Sequence, residues 1–217
     1  MARTKSSDRW LRRHFDDEFV KRAQKEGWRS RATFKLEEID ARDHLLRPGI
    51  TVVDLGAAPG GWSQYVKKRL RDSGRVLALD ILPMDPIQGV EFIQGDFAEQ
   101  AVLDLALERL GDSKVDLVLS DMAPNTSGVA AVDQAKSMNL SELAFEFTDR
   151  TLKPGGTMLI KTFQGAGYSD LYKQMQARFE KLVARKPRAS RSESREIYLL
   201  GKGFKGDRED AIVSGRT

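Results

Sequence analysis

Asp54-Leu55-Gly56-Ala57-Ala58-Pro59-Gly60-Gly61-Trp62-Ser63 joins a β-branched run, Thr51–Leu55, to a helical pattern over Trp62–Leu70. A strand end, a glycine loop and a helix start in that order form the first βα unit of an open parallel sheet. In such sheets ligands bind beyond the carboxyl ends of the strands. Gly56, Gly60 and Gly61 are expected to let the backbone pass close to a ligand at the start of the helix. Asp80 closes the next strand, Arg75–Leu79, where an acid accepts hydrogen bonds from ribose hydroxyls. The spacing Gly-Ala-Ala-Pro-Gly-Gly is not the Gly-x-Gly-x-x-Gly of pyrophosphate binding. Asp54, just before the loop, would repel a diphosphate but could help order a cationic amino-acid end. The pattern therefore favours S-adenosylmethionine over a dinucleotide. Gly95-Asp96-Phe97 follows the third strand and fits an adenine-edge contact, although Asp96 also suits a helix N-cap.

Strand and helix patterns alternate outward from this unit. Strands are expected at Val90–Ile93, Val115–Ser120 and Gly156–Thr162, and helices at Ala98–Leu110, Val132–Leu152 and Tyr168–Phe179. This alternation predicts an α/β, Rossmann-like fold with a mostly parallel sheet of seven strands. Leu182–Arg185 and Ile197–Leu200 have no room for a helix between them, so they are expected to pair antiparallel at an edge. Residues 9–43 read as a basic helical segment packed on a single domain, 9–201. Residues 1–8 read as a disordered basic N-terminus, and 202–217 as a flexible tail.

Composition excludes several chemistries. The chain has 217 residues and no cysteine, so disulfides, thiol nucleophiles and Cys-ligated metals are ruled out. Two histidines, His14 and His44, make a multi-histidine metal site an unfavoured reading, and no metal is expected. No apolar run reaches the roughly 18 residues of a membrane span, and the N-terminus has no apolar signal core. A cytoplasmic location is the matching expectation. Net charge is +4, unevenly spread. Residues 1–35 hold eleven Lys/Arg against five acids, residues 181–195 six against one, and the remainder is net −7. Two basic segments flanking an acidic body point to a polyanion partner, with Arg185, Lys186 and Arg188 as expected phosphate contacts. The bland alternative is a solvated charged face.

Four short stretches supply the catalytic candidates: Phe34-Lys35, Ser120-Asp121-Met122-Ala123-Pro124, Ile160-Lys161-Thr162-Phe163 and Arg195-Glu196-Ile197-Tyr198. Asp121 ends the fourth strand and Lys161 the fifth, beside the expected methyl end of the cofactor. Asp-Met-Ala-Pro-Asn lacks the second proline and the aromatic of the Asn/Asp-Pro-Pro-Tyr signature of amino-methylating enzymes. Without cysteine there is no nucleophile for methylation at pyrimidine C5. A lysine at the sheet crest suits orienting or deprotonating a hydroxyl. The alternative for Lys161 is a structural salt bridge with Asp121 or Glu196.

With these motifs the chain resembles the bacterial FtsJ-type 23S ribosomal RNA ribose 2′-O-methyltransferases, from about Arg9 to Gly201. The resemblance rests on Ser30-Arg31-Ala32-x-Phe34-Lys35-Leu36, the loop from Asp54 to Tyr65, Leu82-Pro83-Met84-Asp85-Pro86, Ser120–Asn125, Phe163-Gln164-Gly165 and Ser194-Arg195-Glu196. It implies a catalytic tetrad of Lys35, Asp121, Lys161 and Glu196. It also implies cofactor contacts at Gly60, Trp62, Asp80, Asp96 and Asp121, with S-adenosylmethionine as cofactor. The implied substrate is the 2′-hydroxyl of one uridine in the A loop of the peptidyl-transferase centre, within the assembled 50S subunit, and the implied state is a monomer. Two rivals remain: a non-catalytic rRNA-binding or assembly factor, and a ribose methyltransferase acting on tRNA or the mRNA cap. An intact tetrad argues against the first, and a short chain without an added recognition domain against the second.

Overall fold

Asp17 opens the first helix by accepting the Phe19 amide at 3.0 Å, and Gly27 closes it in the left-handed region at φ 72°. Glycine adopts that conformation without a Cβ penalty, so the helix stops there. The helical stretch expected over 9–43 is therefore interrupted: α1 covers Glu18–Glu26 and α2 covers Thr33–Asp43. The computed structural model describes residues 17–191 and 194–206. The expectations for residues 1–8 and 9–16 lie outside them, as does that for 207–217.

The chain continues as β1 (Thr51–Leu55), α3 (Gly61–Leu70), β2 (Arg75–Asp80), β3 (Glu91–Gln94), α4 (Gln100–Leu110), β4 (Val115–Ser120) and α5 (Ala130–Thr151). It ends with β5 (Leu152–Phe163), α6 (Tyr168–Arg178), β6 (Phe179–Arg185) and β7 (Glu196–Phe204). The seven strands form one sheet in the order β3-β2-β1-β4-β5-β7-β6. Strands β1 to β5 pair parallel, and β7 runs antiparallel to both β5 and β6. The expected antiparallel pair sits at the edge. The reversed strand β7 slots inside it against β5, which leaves β6 outermost. Strand β7 also runs to Phe204, so residues 202–204 belong to the sheet rather than to a loose tail.

Both faces are covered, as parallel strands require. On one face α2 and α3 bury Leu36, Ile39, Trp62 and Val66 against Val52, Leu117, Leu159 and Tyr198. On the other, α4, α5 and α6 bury Ala106, Phe147 and Met175 against Val53, Val118, Met158 and Leu199. No helix among the described residues is long and apolar enough to cross a membrane.

Candidate active site

The carboxyl ends of β1, β2 and β4 open on a cavity of about 500 Å³. Asp80, Asp96 and Asp121 stand in its wall, with Leu82, Phe97 and Met122 as apolar surface. Asp80 shapes the site as well as lining it. Its Oδ2 accepts the Ala58 amide and its Oδ1 the Leu82 amide, both at 2.8 Å. Each oxygen keeps a lone pair for a further donor. Asp96 is not the N-cap of α4. Its Oδ1 accepts the Ala98 amide at 2.9 Å in a turn ahead of the helix, whose N-cap is Glu99.

The glycine loop is tighter than its sequence suggests. A Cβ on Gly56, at φ 76°, would come within 2.7–2.9 Å of Met122 side-chain and backbone atoms. A Cβ on Gly61 would meet Thr33 and Ser30, and one on Gly60 would meet Ile87, Met84 and Arg29. The room these glycines provide is thus filled by the protein's own chain. Arg29 fastens this arrangement by donating to the carbonyls of Pro59, Asp85 and Pro86. Gly60 and Trp62 do not line the cavity. The Trp62 side chain is 3% exposed, packs on Tyr198 and donates its indole N–H to the Ala32 carbonyl at 2.7 Å. Any contact from Trp62 to a ligand must therefore come from its backbone.

Asp54 lies beneath the loop, fully buried. Its Oδ2 accepts the Ser63 hydroxyl at 2.6 Å, while Oδ1 has no partner. Burial, with Asp121 and Asp80 nearby, pushes its pKa up to about 7 against the opposing Ser63 hydrogen bond. Asp54 does not line the cavity, whereas Asp80 and Asp96 do and fit a ligand that brings hydroxyls and an amine edge. The raised pKa has a stability consequence. The unfolded chain releases this proton near 3.8 and the folded chain near 7. Over that interval the folded state binds more protons, so stability falls as pH rises and then levels off. Asp54→Asn should flatten this slope and, above pH 7, exceed the wild type by about 1–3 kcal/mol. Denaturant melts of both proteins across pH 4–8 check it, and parallel curves would contradict it.

The four catalytic candidates meet on the face of the sheet covered by α2. Lys161 lies opposite Tyr198 in the β5–β7 register, and Glu196 lies two residues from Tyr198 on the same face. Lys161 Nζ sits 3.0 Å from Asp121 Oδ1 and donates to the Asp121 carbonyl at 2.6 Å. Lys35 Nζ, from α2, donates to both Glu196 carboxylate oxygens at 2.7 and 2.9 Å. The tetrad is thus two ion pairs. Burial pushes the Asp121 pKa up, but Lys161, Lys35 and the Tyr198 hydroxyl outweigh it and leave Asp121 below the usual range.

Some site contacts were beyond the reach of sequence reasoning. Tyr198 donates to Asp121 Oδ1 and Ser190 to Glu196 Oε1, at 2.6 and 2.7 Å. Two of the three expected phosphate contacts already have protein partners. Arg185 makes a two-bond pair with Asp43 at 2.8 Å, and Lys186 donates to the carbonyls of Ser194 and Glu196. Among the described residues of the two basic segments, Lys21, Lys25, Lys181, Arg188, Arg191 and Arg195 are exposed with no side-chain partner. The two basic segments, far apart in sequence, meet where Arg31 bridges Asp17 and the Ala189 carbonyl.

Known proteins are similar to this chain over most of its length. A Legionella pneumophila protein named ribosomal RNA large subunit methyltransferase E is 58% identical over 204 residues, covering 94% of this chain and 99% of the relative. A Xanthomonas euvesicatoria protein of the same name is 61% identical over 202 residues, covering 93% and 96%. A crystal structure described as a ribosomal RNA methyltransferase from Plasmodium falciparum superposes with a TM-score of 0.75 at 31% identity, over 83% of this chain and all of that one. The family profile described as FtsJ-like methyltransferase matches residues 28–204, which hold the glycine loop, the cavity and all four members of the tetrad. The chain belongs to the FtsJ-like methyltransferase family.

Proposed function

We propose that the protein methylates the 2′-hydroxyl of a uridine in 23S rRNA, in the A loop of the assembled 50S subunit. S-adenosylmethionine is the donor, and the enzyme acts as a cytoplasmic monomer. The observation that carries this reading is the meeting of Lys161–Asp121 and Lys35–Glu196 beside a cavity walled by Asp80 and Asp96. Asp80 would accept the ribose hydroxyls and Asp96 the adenine amine. Asp54, buried beneath the loop, would act on the cationic amino-acid end through its charge alone, and Gly60 and Trp62 would contribute backbone groups. The relatives named as large-subunit rRNA methyltransferases support the substrate class.

S-adenosylmethionine, held by Asp80 and Asp96, would supply an electrophilic methyl to the 2′-oxygen as its C–S bond breaks, with the hydroxyl proton passing to Lys161 or to water. Catalysis is then mostly alignment. Asp121 occupies two directions of Lys161 Nζ and leaves a further one for the substrate. A lone pair there removes the hydroxyl proton, and an N–H there aligns the hydroxyl oxygen on the methyl. The two versions part on pH. A base gives a chemical-step rate that rises to a lysine-like limit, and an orienting cation gives a rate that falls there. Single-turnover methylation of undermodified 50S particles, with the modified position mapped, tests the proposal. Transfer to tRNA or cap instead of the particle would overturn it, as would tight particle binding without transfer.

The substrate should be gripped by the free cations rather than the committed ones. Replacing Arg188, Arg191 and Arg195 with glutamine should weaken particle binding and lower the log–log salt slope by about 0.7–0.9 per lost phosphate contact. Cofactor affinity should not change. An unchanged slope would make these arginines a merely solvated face.

A further inference from the structure

Each acid of the tetrad carries one buried hydroxyl, and the two hydroxyls differ in position. Ser190 reaches Glu196 from a loop. Tyr198 reaches Asp121 from β7, the strand held between β5 and β6. Its ring is 0% exposed, lies 5.8 Å from the Trp62 ring and has Lys35 Nζ 5.6 Å from its centroid. The phenol oxygen therefore has a fixed place, and it donates to the carboxylate oxygen that also faces Lys161, Asp121 Oδ1. We propose that Tyr198 is a positioning residue for methyl transfer, which locks the Asp121 carboxylate in the orientation that presents Lys161 to the substrate hydroxyl. This rests on the ribose-methylation reading and adds to it a fifth member that never touches the substrate.

The chemistry suits the role. A phenol in an apolar niche beside two carboxylates keeps its proton, because burial and then the charges of Asp121 and Glu196 hold its pKa well above 10. It is a permanent donor across the working pH range. A single N–H···O contact from a lysine leaves a carboxylate free to rotate about its Cβ–Cγ bond. A second donor from a different strand removes that freedom. The charged groups acting on Asp121 are Lys161 from β5, Lys35 from α2 and Asp54 from β1, while Glu196 from β7 pairs with Lys35. The Tyr198 hydroxyl is the neutral donor among them, so its removal changes Asp121 without removing a charge.

Tyr198→Phe tests this directly, because the ring and its packing remain. Its single-turnover rate on undermodified particles should fall by about tenfold or more, the scale that loss of alignment brings. Affinity for S-adenosylmethionine should stay within about threefold. The carboxyl carbon of Asp121, followed by NMR in ¹³C-aspartate protein and assigned with Asp121→Asn, should titrate about one unit or more higher. The acid limb of the rate profile should move the same way. Replacing Tyr198 with 3-fluorotyrosine, a stronger donor of nearly the same shape, should shift that titration downward, which keeps the test open if the phenylalanine variant folds poorly. A normal rate in Tyr198→Phe would overturn the proposal. So would a slowed variant whose Asp121 titration does not move, since that is the mark of a packing defect alone. The titration is read without turnover. A wild-type enzyme inactive on ribose therefore sinks the ribose reading while leaving the Tyr198–Asp121 link measurable.

Discussion

Lys161→Ala should lower the single-turnover rate by at least about 10³-fold, within the range that a positioned proton-handling group contributes. Cofactor affinity should stay within a few-fold, because Lys161 does not itself line the cavity and reaches it only through Asp121. The variant should also melt earlier, since it leaves the Asp121 carboxylate, buried with Lys161, short of its partner charge. Rates on undermodified 50S particles, calorimetric cofactor affinity and a thermal melt separate these effects. A near-normal rate would reduce Lys161 to a salt-bridge partner and leave the tetrad without its centre.

Asp80→Ala should weaken S-adenosylmethionine binding more than any other single change in the cavity wall. A hydrogen bond to a charged group contributes about 1.5–3 kcal/mol, which corresponds to roughly 10- to 150-fold in affinity. The loss has two parts. The ribose loses its acceptor, and the amides of Ala58 and Leu82 lose the carboxylate that bends their loops toward each other. Asp80→Asn keeps one acceptor oxygen and should fall between the two. Calorimetry with unchanged affinity in a folded Asp80→Ala protein would remove Asp80 from the binding site.

Some of this was legible in the sequence and some was not, for reasons that differ by residue. Thr51–Leu55 and Val115–Ser120 form strands with the expected bounds because β-branched runs between turn residues leave little choice. Lys161 and Asp121 could be brought together because strand ends in a parallel sheet share one crest. Strand order was less accessible. Nothing local to Glu196–Phe204 says that it slots between β5 and β6. That placement sets Tyr198 opposite Lys161, so the Asp121–Tyr198 bond was invisible without it. Trp62 shows the limit of motif reading. The family resemblance implies a cofactor contact there, and its side chain faces α2 and Tyr198, which leaves only its backbone for such a contact. Arg185 and Lys186 show the same limit for charge. A basic run reveals how many cations there are, and only the fold reveals that Asp43 and two backbone carbonyls have already taken these two. One signal could have been used. Gly27 after Lys25-Glu26 is a helix-closing pattern, and it divides the N-terminal helical segment where the structure does.

The central claim is that the two lysine–acid pairs serve oxygen chemistry on ribose. The most direct measurement is the chemical identity of the product. Undermodified 50S particles are methylated with isotopically labelled S-adenosylmethionine, their rRNA is digested to nucleosides, and the labelled nucleoside is identified by mass spectrometry. A single labelled product is expected, 2′-O-methyluridine, formed by the wild type and not by Lys161→Ala. A label carried on a base carbon or base nitrogen, or 2′-O-methyluridine formed equally well without Lys161, would contradict it.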